Sequence, residues 1–458
     1  MKRSQLVCIF LMLLITSAML AAQTNPVALI YQPLSPAAVQ PGQPGFQLTV
    51  RGTGFVSGAV VKWNGKALQT KFISSSKLKA VVPTAAIAKA STASVTVANP
   101  GVTASNVIYF TVRKPSSTVT LETGPQSIEG GQVVVGDFNN DQRPDVVVKA
   151  FDEYVDIYLD GKNGSLLKIP GSGWSQGPFT QPTAADLTAD FNGDGNLDYS
   201  LCVGDGSVYI ACGIYLGDGK GGLTFASAVA GEGLAADIEH SGVLDYVTTY
   251  ESADGLSCAL HVNFGNGDGT FQYYVLSIPI ANDSGSPVFG DFNGDGKLDV
   301  AVPLGNGKIG IFLGNGDGTF RTEVDYPVTN WGALAVADVN GDGILDIVTN
   351  GASVLLGKGD GTFIAGPSIS VPNAQTIQLV DVNGDGKLDL VTTTVDVNYN
   401  QTLQILLGDG TGSFASPIAF PGNEVWWSAE IGIADLNNDG GLDFVLGGVS
   451  SSTVLLQK

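Results

Sequence analysis

Basic residues are scarce in this chain. Lys and Arg number 22 against 43 Asp and Glu in 458 residues, leaving a net charge of −21. A nucleic-acid backbone needs a basic surface, so that class of partner is excluded. Charged residues of both signs reach only 14%, against about 25% in ordinary soluble domains. Histidine occurs twice, at His240 and His261, and cysteine four times, with no zinc-type spacing. Beyond the N-terminus no run is apolar for the roughly 20 residues that a spanning helix needs. Glycine, in contrast, is abundant at 61 residues, about twice its usual share of roughly 7%. Hydrophobic residues at 44% suffice for a core and exclude wholesale disorder. Many glycines, few charges and an excess of acids point to turn-rich β structure.

The N-terminus reads as an export signal. Lys2 and Arg3 precede an apolar run from Leu6 to Ile15, and small residues follow at Ala18, Ala21 and Ala22. The expectation is a signal peptide over 1–22, a secreted product located outside the cell, at its surface or in the periplasm, and no membrane span in the mature chain. Losing Lys2 and Arg3 takes the net charge from −21 to −23. Cys8 leaves with the signal. Cys202 and Cys212 flank Gly204-Asp205-Gly206, a hairpin-like turn. A cross-strand disulfide and two buried thiols are both open there.

A nine-residue pattern then recurs seven times, beginning at 137, 190, 237, 291, 338, 381 and 435. Its clearest copy is Asp291-Phe-Asn-Gly-Asp-Gly-Lys-Leu-Asp299. A second pattern, Leu313-Gly-Asn-Gly-Asp-Gly-Thr-Phe320, lies between copies and recurs near Phe264, Leu356, Leu407 and, loosely, Leu216. Such Asn-Gly and Asp-Gly runs between apolar stretches signal tight hairpins. Each period of 43 to 54 residues holds four short β runs. Four strands repeated seven times define a seven-bladed β-propeller. The last period stops after its third strand, and Thr118–Glu122 can supply the fourth, which closes the ring and removes a sheet edge.

The acidic loops carry the chemistry. Asp, Asn and Asp at positions 1, 3 and 5 place hard oxygen donors on one side of a tight loop, Gly at position 6 permits positive φ, and Asp at position 9 closes the set. With no His or Cys among them, Ca²⁺ is favoured over softer metals. Position 7 varies freely, as expected where a backbone carbonyl is the ligand. The candidate ligands are therefore Asp137, Asn139, Asp141, Arg143 and Asp145; Asp190, Asn192, Asp194, Asn196 and Asp198; Asp291, Asn293, Asp295, Lys297 and Asp299; Asp338, Asn340, Asp342, Ile344 and Asp346; Asp381, Asn383, Asp385, Lys387 and Asp389; and Asp435, Asn437, Asp439, Gly441 and Asp443. The worn copy at 237–245 has Glu239 and Ser241 at positions 3 and 5 and is expected to bind weakly or not at all. About six ions would bring the mature charge from −23 to −11. An EF-hand is excluded because it needs a Glu at position 12, where the clearest copy has Val302 in a β-rich run. In the first copy, Gln142 stands where Gly is preferred, a strain of about 1 kcal/mol.

Residues 118–458, on these two motifs, resemble the FG-GAP/VCBS repeat family, related to the propeller of integrin α subunits. The resemblance implies Ca²⁺ between the first and second strands of each blade, and extracellular binding or adhesion, with a glycan or protein as ligand. Residues 26–113 contain no acidic loop. Through Pro33-Leu-Ser-Pro36, Leu48-Thr-Val-Arg-Gly-Thr-Gly-Phe55 and Val95-Thr-Val-Ala-Asn-Pro-Gly101 they resemble an IPT/TIG-type domain, an immunoglobulin-like β-sandwich. Residues 114–117 form the linker. The fold class expected is all-β.

Some members of the FG-GAP group are enzymes, so the alternative is a Ca²⁺-dependent polysaccharide lyase or hydrolase. Gly173-Trp-Ser175-Gln-Gly177 matches a nucleophile-elbow pattern but lacks the strand-to-helix context that such an elbow needs. The strand entering each acidic loop is innermost in related propellers. Trp331, Trp426 and Trp427 precede Asp338 and Asp435 by seven to nine residues, about 25 Å of strand. They are thus expected on the face opposite the ions, as an aromatic ligand surface.

Overall fold

A computed structural model describes residues 25–150, 155–160, 166–168, 181–182, 187–204, 210–251, 257–281, 285–329, 332–350, 353–425 and 431–458. The signal segment, the 173–177 motif, Trp331, Trp426 and Trp427 lie outside the described residues. The structure is all-β. Among the described residues the one helical element is a 3-10 turn at Thr84–Ile87, and no helix is long and apolar enough to cross a membrane.

The N-terminal region folds as two stacked sheets. One has the strand order Leu29–Ser35, Phe46–Thr53, Lys77–Val82, Gln69–Ser74; the other runs Ala38–Val39, Ile108–Val112, Ser91–Ala98, Val60–Trp63, Lys66–Ala67. Alternation drives this layering. Leu48, Val50, Leu78 and Val82 from the first sheet and Val61, Val95, Val97 and Phe110 from the second are fully buried between the layers. Trp63 packs against Phe110 with ring centroids 5.1 Å apart. This is an immunoglobulin-like sandwich.

Six sheets follow: four of four strands, one of five and one of seven. Val288–Gly290, Asp299–Leu304, Lys308–Phe312 and Val324–Pro327 form a representative antiparallel set, paired in chain order. Apolar side chains on both faces stack each set on its neighbours. Val247, Leu260 and Val262 of one set meet Phe289, Val300 and Val302 of the next. The seven-stranded sheet joins the two ends of the repeats. Leu121–Gly136 pairs with Gly448–Gln457 through its first half and with Asp145–Ala150 through its second. The strand that completes the last set thus runs from Leu121 to Glu129, further than the Thr118–Glu122 read from sequence, and continues directly into the first set. Cys202 stands opposite Cys212 in strand register, Cys212 is disulfide-bonded, and Cys258 is buried.

The sandwich sits on the repeats. Leu29 packs with Ala189, Phe191, Leu244 and Tyr246, and Tyr31 stacks on Phe289 at 6.5 Å. Beneath it lies a cavity of about 1230 Å³, lined by Val135, Leu234, Val288 and Val336 from the strands that enter the acidic loops and by Arg51 and Lys77 from the sandwich.

Candidate metal centres

Each acidic loop is a hairpin connection. The residue before position 1 pairs across the sheet with the Asp at position 9: Gly136 with Asp145, Ala189 with Asp198, Ala236 with Asp245, Gly290 with Asp299, Ala337 with Asp346, Val380 with Asp389 and Ala434 with Asp443. Position 2 is Phe138, Phe191, Ile238, Phe292, Val339, Val382 or Leu436, always buried. Position 8, a Leu in every copy but the first, is buried as well. Two apolar anchors one on either side of the loop therefore pin it to the sheet while its polar positions stay together.

The position-9 carboxylates are wholly buried in all seven copies. Their Oδ2 atoms accept the backbone N–H of position 2 at 2.7–2.9 Å. In six copies Oδ1 accepts a second N–H, from Gly217, Gly265, Gly314, Gly357, Gly408 or Gln457, at 2.8–3.1 Å. Five of these donors are the first glycine of the second repeat pattern. A Cβ at Gly314 would stand 2.1 Å from the Leu298 carbonyl oxygen, so at this position glycine lets the N–H come close to the carboxylate. The second pattern is more than a turn, because it fixes the deepest acid of the loop. Sequence reading missed these glycines, although their constant offset from the acidic copies was a usable signal.

Positions 1, 3, 5 and 7 follow one scheme. Asp190 and Asp381 accept N–H groups from positions 4, 5 and 6 at 2.6–3.1 Å. Asn139, Asn192, Asn293, Asn340, Asn383 and Asn437 accept the N–H of position 5. Asp141, Asp194, Asp295, Asp342, Asp385 and Asp439 accept the N–H of position 7, from Arg143, Asn196, Lys297, Ile344, Lys387 and Gly441. In the full copies the side-chain oxygens at positions 3 and 5 thus accept N–H groups of their own loop, which winds the backbone around its polar side chains. In the worn copy the position-5 acceptor is a Ser241 hydroxyl. In the first copy Gln142 adopts φ 67°, the left-handed conformation foreseen as strained, and Arg143 Nη2 pairs with Asp141 Oδ2 at 2.6 Å.

Acids dominate the electrostatics of these loops, with Arg51, Lys77 and Arg113 of the sandwich as the nearby opposite charges. Burial, opposed by backbone hydrogen bonds and reinforced by neighbouring acids, pushes Asp198, Asp245, Asp299, Asp389 and Asp443 up to about 7 and Asp346 to about 6. Burial likewise raises Asp190 and Asp381 to about 6 and Asp237 to about 7. Asp237 Oδ1 and Asp291 Oδ1 are buried without any hydrogen-bond partner. Among the described residues no three His, Cys, Asp or Glu side chains form a ready cluster; the set here mixes carboxylate, amide and backbone oxygens. All are hard donors, and buried acids crowded together without a paired cation are what a divalent cation such as Ca²⁺ would relieve.

The sandwich reaches into these loops. Thr53 Oγ1 donates to the Asp237 carbonyl at 3.1 Å, Ser75 Oγ to the Gly296 carbonyl at 2.7 Å and Ser76 Oγ to Asp291 Oδ2 at 3.3 Å. Thr92 Oγ1 donates to Asp435 Oδ2. Arg51 donates to the Gly343 carbonyl at 2.8 Å and Arg113 to the Val382 carbonyl at 3.0 Å. Ser94 meets Gln142 in the first loop, and a Cβ on Gly195 in the second would stand 2.6 Å from Thr103. Every one of the seven loops touches the N-terminal region. Sequence reading did not anticipate this, yet residues 26–113 hold eight Lys and Arg and no acid, whereas 118–458 hold all 43 acids and 11 bases.

An immunoglobulin-like sandwich followed by sheets that repeat one acidic hairpin loop defines a class of modular, loop-bearing β proteins. The FG-GAP-like repeat model matches residues 137–199, 237–302, 303–349 and 381–446, just over half of the chain, and the IPT/TIG domain model matches 30–112. The chain belongs to the FG-GAP-like repeat family and carries an N-terminal IPT/TIG domain. No curated protein matches it. Among solved structures, it is similar to a putative phosphatase from Bacteroides thetaiotaomicron VPI-5482, with 13% identity over 94% of this chain and 97% of that one, at a TM-score of 0.36. It is also similar to an auxiliary nutrient binding protein from Bacteroides ovatus ATCC 8483, with 11% identity, 94% and 98% coverage and a TM-score of 0.35. BBS1N in complex with ARL6DN gives 12% identity, 75% and 96% coverage and a TM-score of 0.42. At these scores the likenesses carry no argument about function.

Proposed function

We propose that this protein is an exported, Ca²⁺-stabilised binding or adhesion module that carries no catalysis, with an extracellular glycan or protein as its partner. Its repeats are the seven blades of a β-propeller over 118–458, and its sandwich spans 26–113 behind a cleaved signal over 1–22. The observation that carries the reading is the sevenfold repetition, in one backbone frame, of a fully buried acid at position 9 beside an acid at position 1 that is itself buried in five of the seven copies. Support for the ring comes from the Leu121–Glu129 strand, which completes the last set from the other end of the repeats, and from the contact of all seven loops with a single domain.

Six loops have the full donor set, with Asp at 1, 5 and 9, Asn at 3 and the carbonyl of position 7. The ion supplies positive charge that rigidifies the loop, and no reaction is routed through it. The 237–245 loop, with Ser241 in place of an acid, binds an ion weakly or not at all. Screening the whole protein against immobilised glycans and extracellular proteins in Ca²⁺ and in chelator tests the reading. Binding in Ca²⁺ without release of sugar fragments is expected. Steady fragment release would instead establish the carbohydrate-active alternative.

A further inference from the structure

We propose that the acidic-loop face is the seat of the chain's own basic N-terminal domain, and that this seating is coupled to ion occupancy of the loops. The inference rests on the reading of the loops as Ca²⁺ sites. Two surfaces of opposite charge meet here: eight Lys and Arg without a single acid in 26–113, and the acid-rich loops. Simple attraction between them would make chelation tighten the contact, because stripping cations exposes more negative charge. The contacts point the other way. Arg51 and Arg113 address backbone carbonyls, Gly343 and Val382, and among the described residues no ion pair joins the two regions. The domain's cations lie near the loop acids, Arg51 by Asp338 and Asp291 and Arg113 by Asp381 and Asp439, but pair with none of them, so the carboxylate oxygens stay open to another partner.

The contacts also depend on loop shape. The carbonyls of Gly343, Gly296 and Val382 face the domain from a loop backbone wound around its acids. Ser76 and Thr92 each donate to a position-1 carboxylate, Asp291 and Asp435, and so act as outer-shell partners that orient a ligand oxygen. A loop with its ion bound holds this shape. A loop without one sets buried acids against each other and loses it. Binding of ion and seating of the domain then favour one another, and the coupling is reciprocal. An external partner meets the remaining surface of the repeats, because the loop face is already covered.

The test uses the full chain. Amide hydrogen exchange is followed by mass spectrometry at fixed pH in millimolar Ca²⁺ and in EGTA, with Ca²⁺ content measured on the same samples. Chelation is expected to speed exchange at least tenfold in segments 51–55, 74–77 and 91–94, with core amides around Val97 and Phe110 unchanged, and to increase the radius of gyration in X-ray scattering. Ca²⁺ that binds and leaves without any change in those segments, or with slower exchange in EGTA, overturns the coupling while the metal reading stands. A chain that takes up no Ca²⁺ overturns both. The uncharged double variant Ser76→Ala/Thr92→Ala provides the second arm. It should need at least threefold more free Ca²⁺ to reach the protected state, and an unshifted midpoint in a variant with intact core protection counts against the proposal.

Discussion

Stability of the chain should depend on pH with opposite signs in chelator and in Ca²⁺. Without cations, the folded position-9 acids Asp198, Asp245, Asp299, Asp389 and Asp443 titrate at about 7, whereas the unfolded chain sheds those protons near the ordinary value of 3.8. Between these values the folded state binds more protons than the unfolded state. The contribution is therefore present in full below about 4 and is lost as pH rises through about 7. One such group loses about 1.4 kcal/mol per pH unit between pH 5 and 6. If only two of the five titrate this way, the loss is about 2.7 kcal/mol. The repeat region unfolds with an entropy of about 0.7 kcal/mol per kelvin at roughly 2.1 cal/mol/K per residue, so Tm should fall by about 4 °C from pH 5 to pH 6 in EGTA. In millimolar Ca²⁺ the ligand carboxylates must be deprotonated to bind, so Tm should rise over the same interval. Asp268, Asp317, Asp360 and Asp409, held below their usual range by Thr hydroxyls, are exposed and act alike in both buffers. The difference between the two slopes is therefore the quantity to read by scanning calorimetry. Parallel slopes would refute the reasoning.

Further outcomes follow from single residues. Asp295→Ala should remove one bound ion and lower Tm in Ca²⁺ but not in EGTA, whereas Ser241→Ala should leave the ion count unchanged; equilibrium dialysis measures both. Gly314→Ala drives a Cβ to 2.1 Å from the Leu298 carbonyl and pulls an N–H away from Asp299; strain with a buried acid left short of a donor should cost more than about 3 kcal/mol in urea unfolding. Arg143→Ala frees Asp141 from a half-exposed ion pair worth at most about 1 kcal/mol, so the first loop should bind Ca²⁺ up to roughly fivefold more tightly in a competition titration.

Much of the repeat architecture was legible because each acidic copy sits between two strands at fixed offsets. Asp at position 9 opens a strand in all seven copies, as the apolar residues after it implied. The four short β runs expected in each period appear around the clearest acidic copy as Val288–Gly290, Asp299–Leu304, Lys308–Phe312 and Val324–Pro327. Loop geometry was legible too, since the pattern calls for a tight loop with a left-handed residue at position 6, and even Gln142 takes that conformation. Long-range partners were not legible. Nothing local to Gly314 says that its N–H will reach Asp299, fifteen residues away, and nothing local to Thr92 says that it will reach Asp435. The charge partition between the two regions would have suggested that they meet, but not through carbonyls and hydroxyls. The 426–427 and 331 tryptophans, on which a ligand surface was expected, lie outside the described residues, so that expectation stands as a proposal to be tested by Ala variants.

Whether the acidic loops hold ions decides the function proposed for this chain. Equilibrium dialysis of the full chain against ⁴⁵Ca²⁺ at pH 7 and 0.15 M salt measures this directly. The account predicts saturation near six ions per chain, accompanied by a rise in Tm relative to EGTA. Saturation at zero or one ion, or six ions bound with an unchanged Tm, would contradict it.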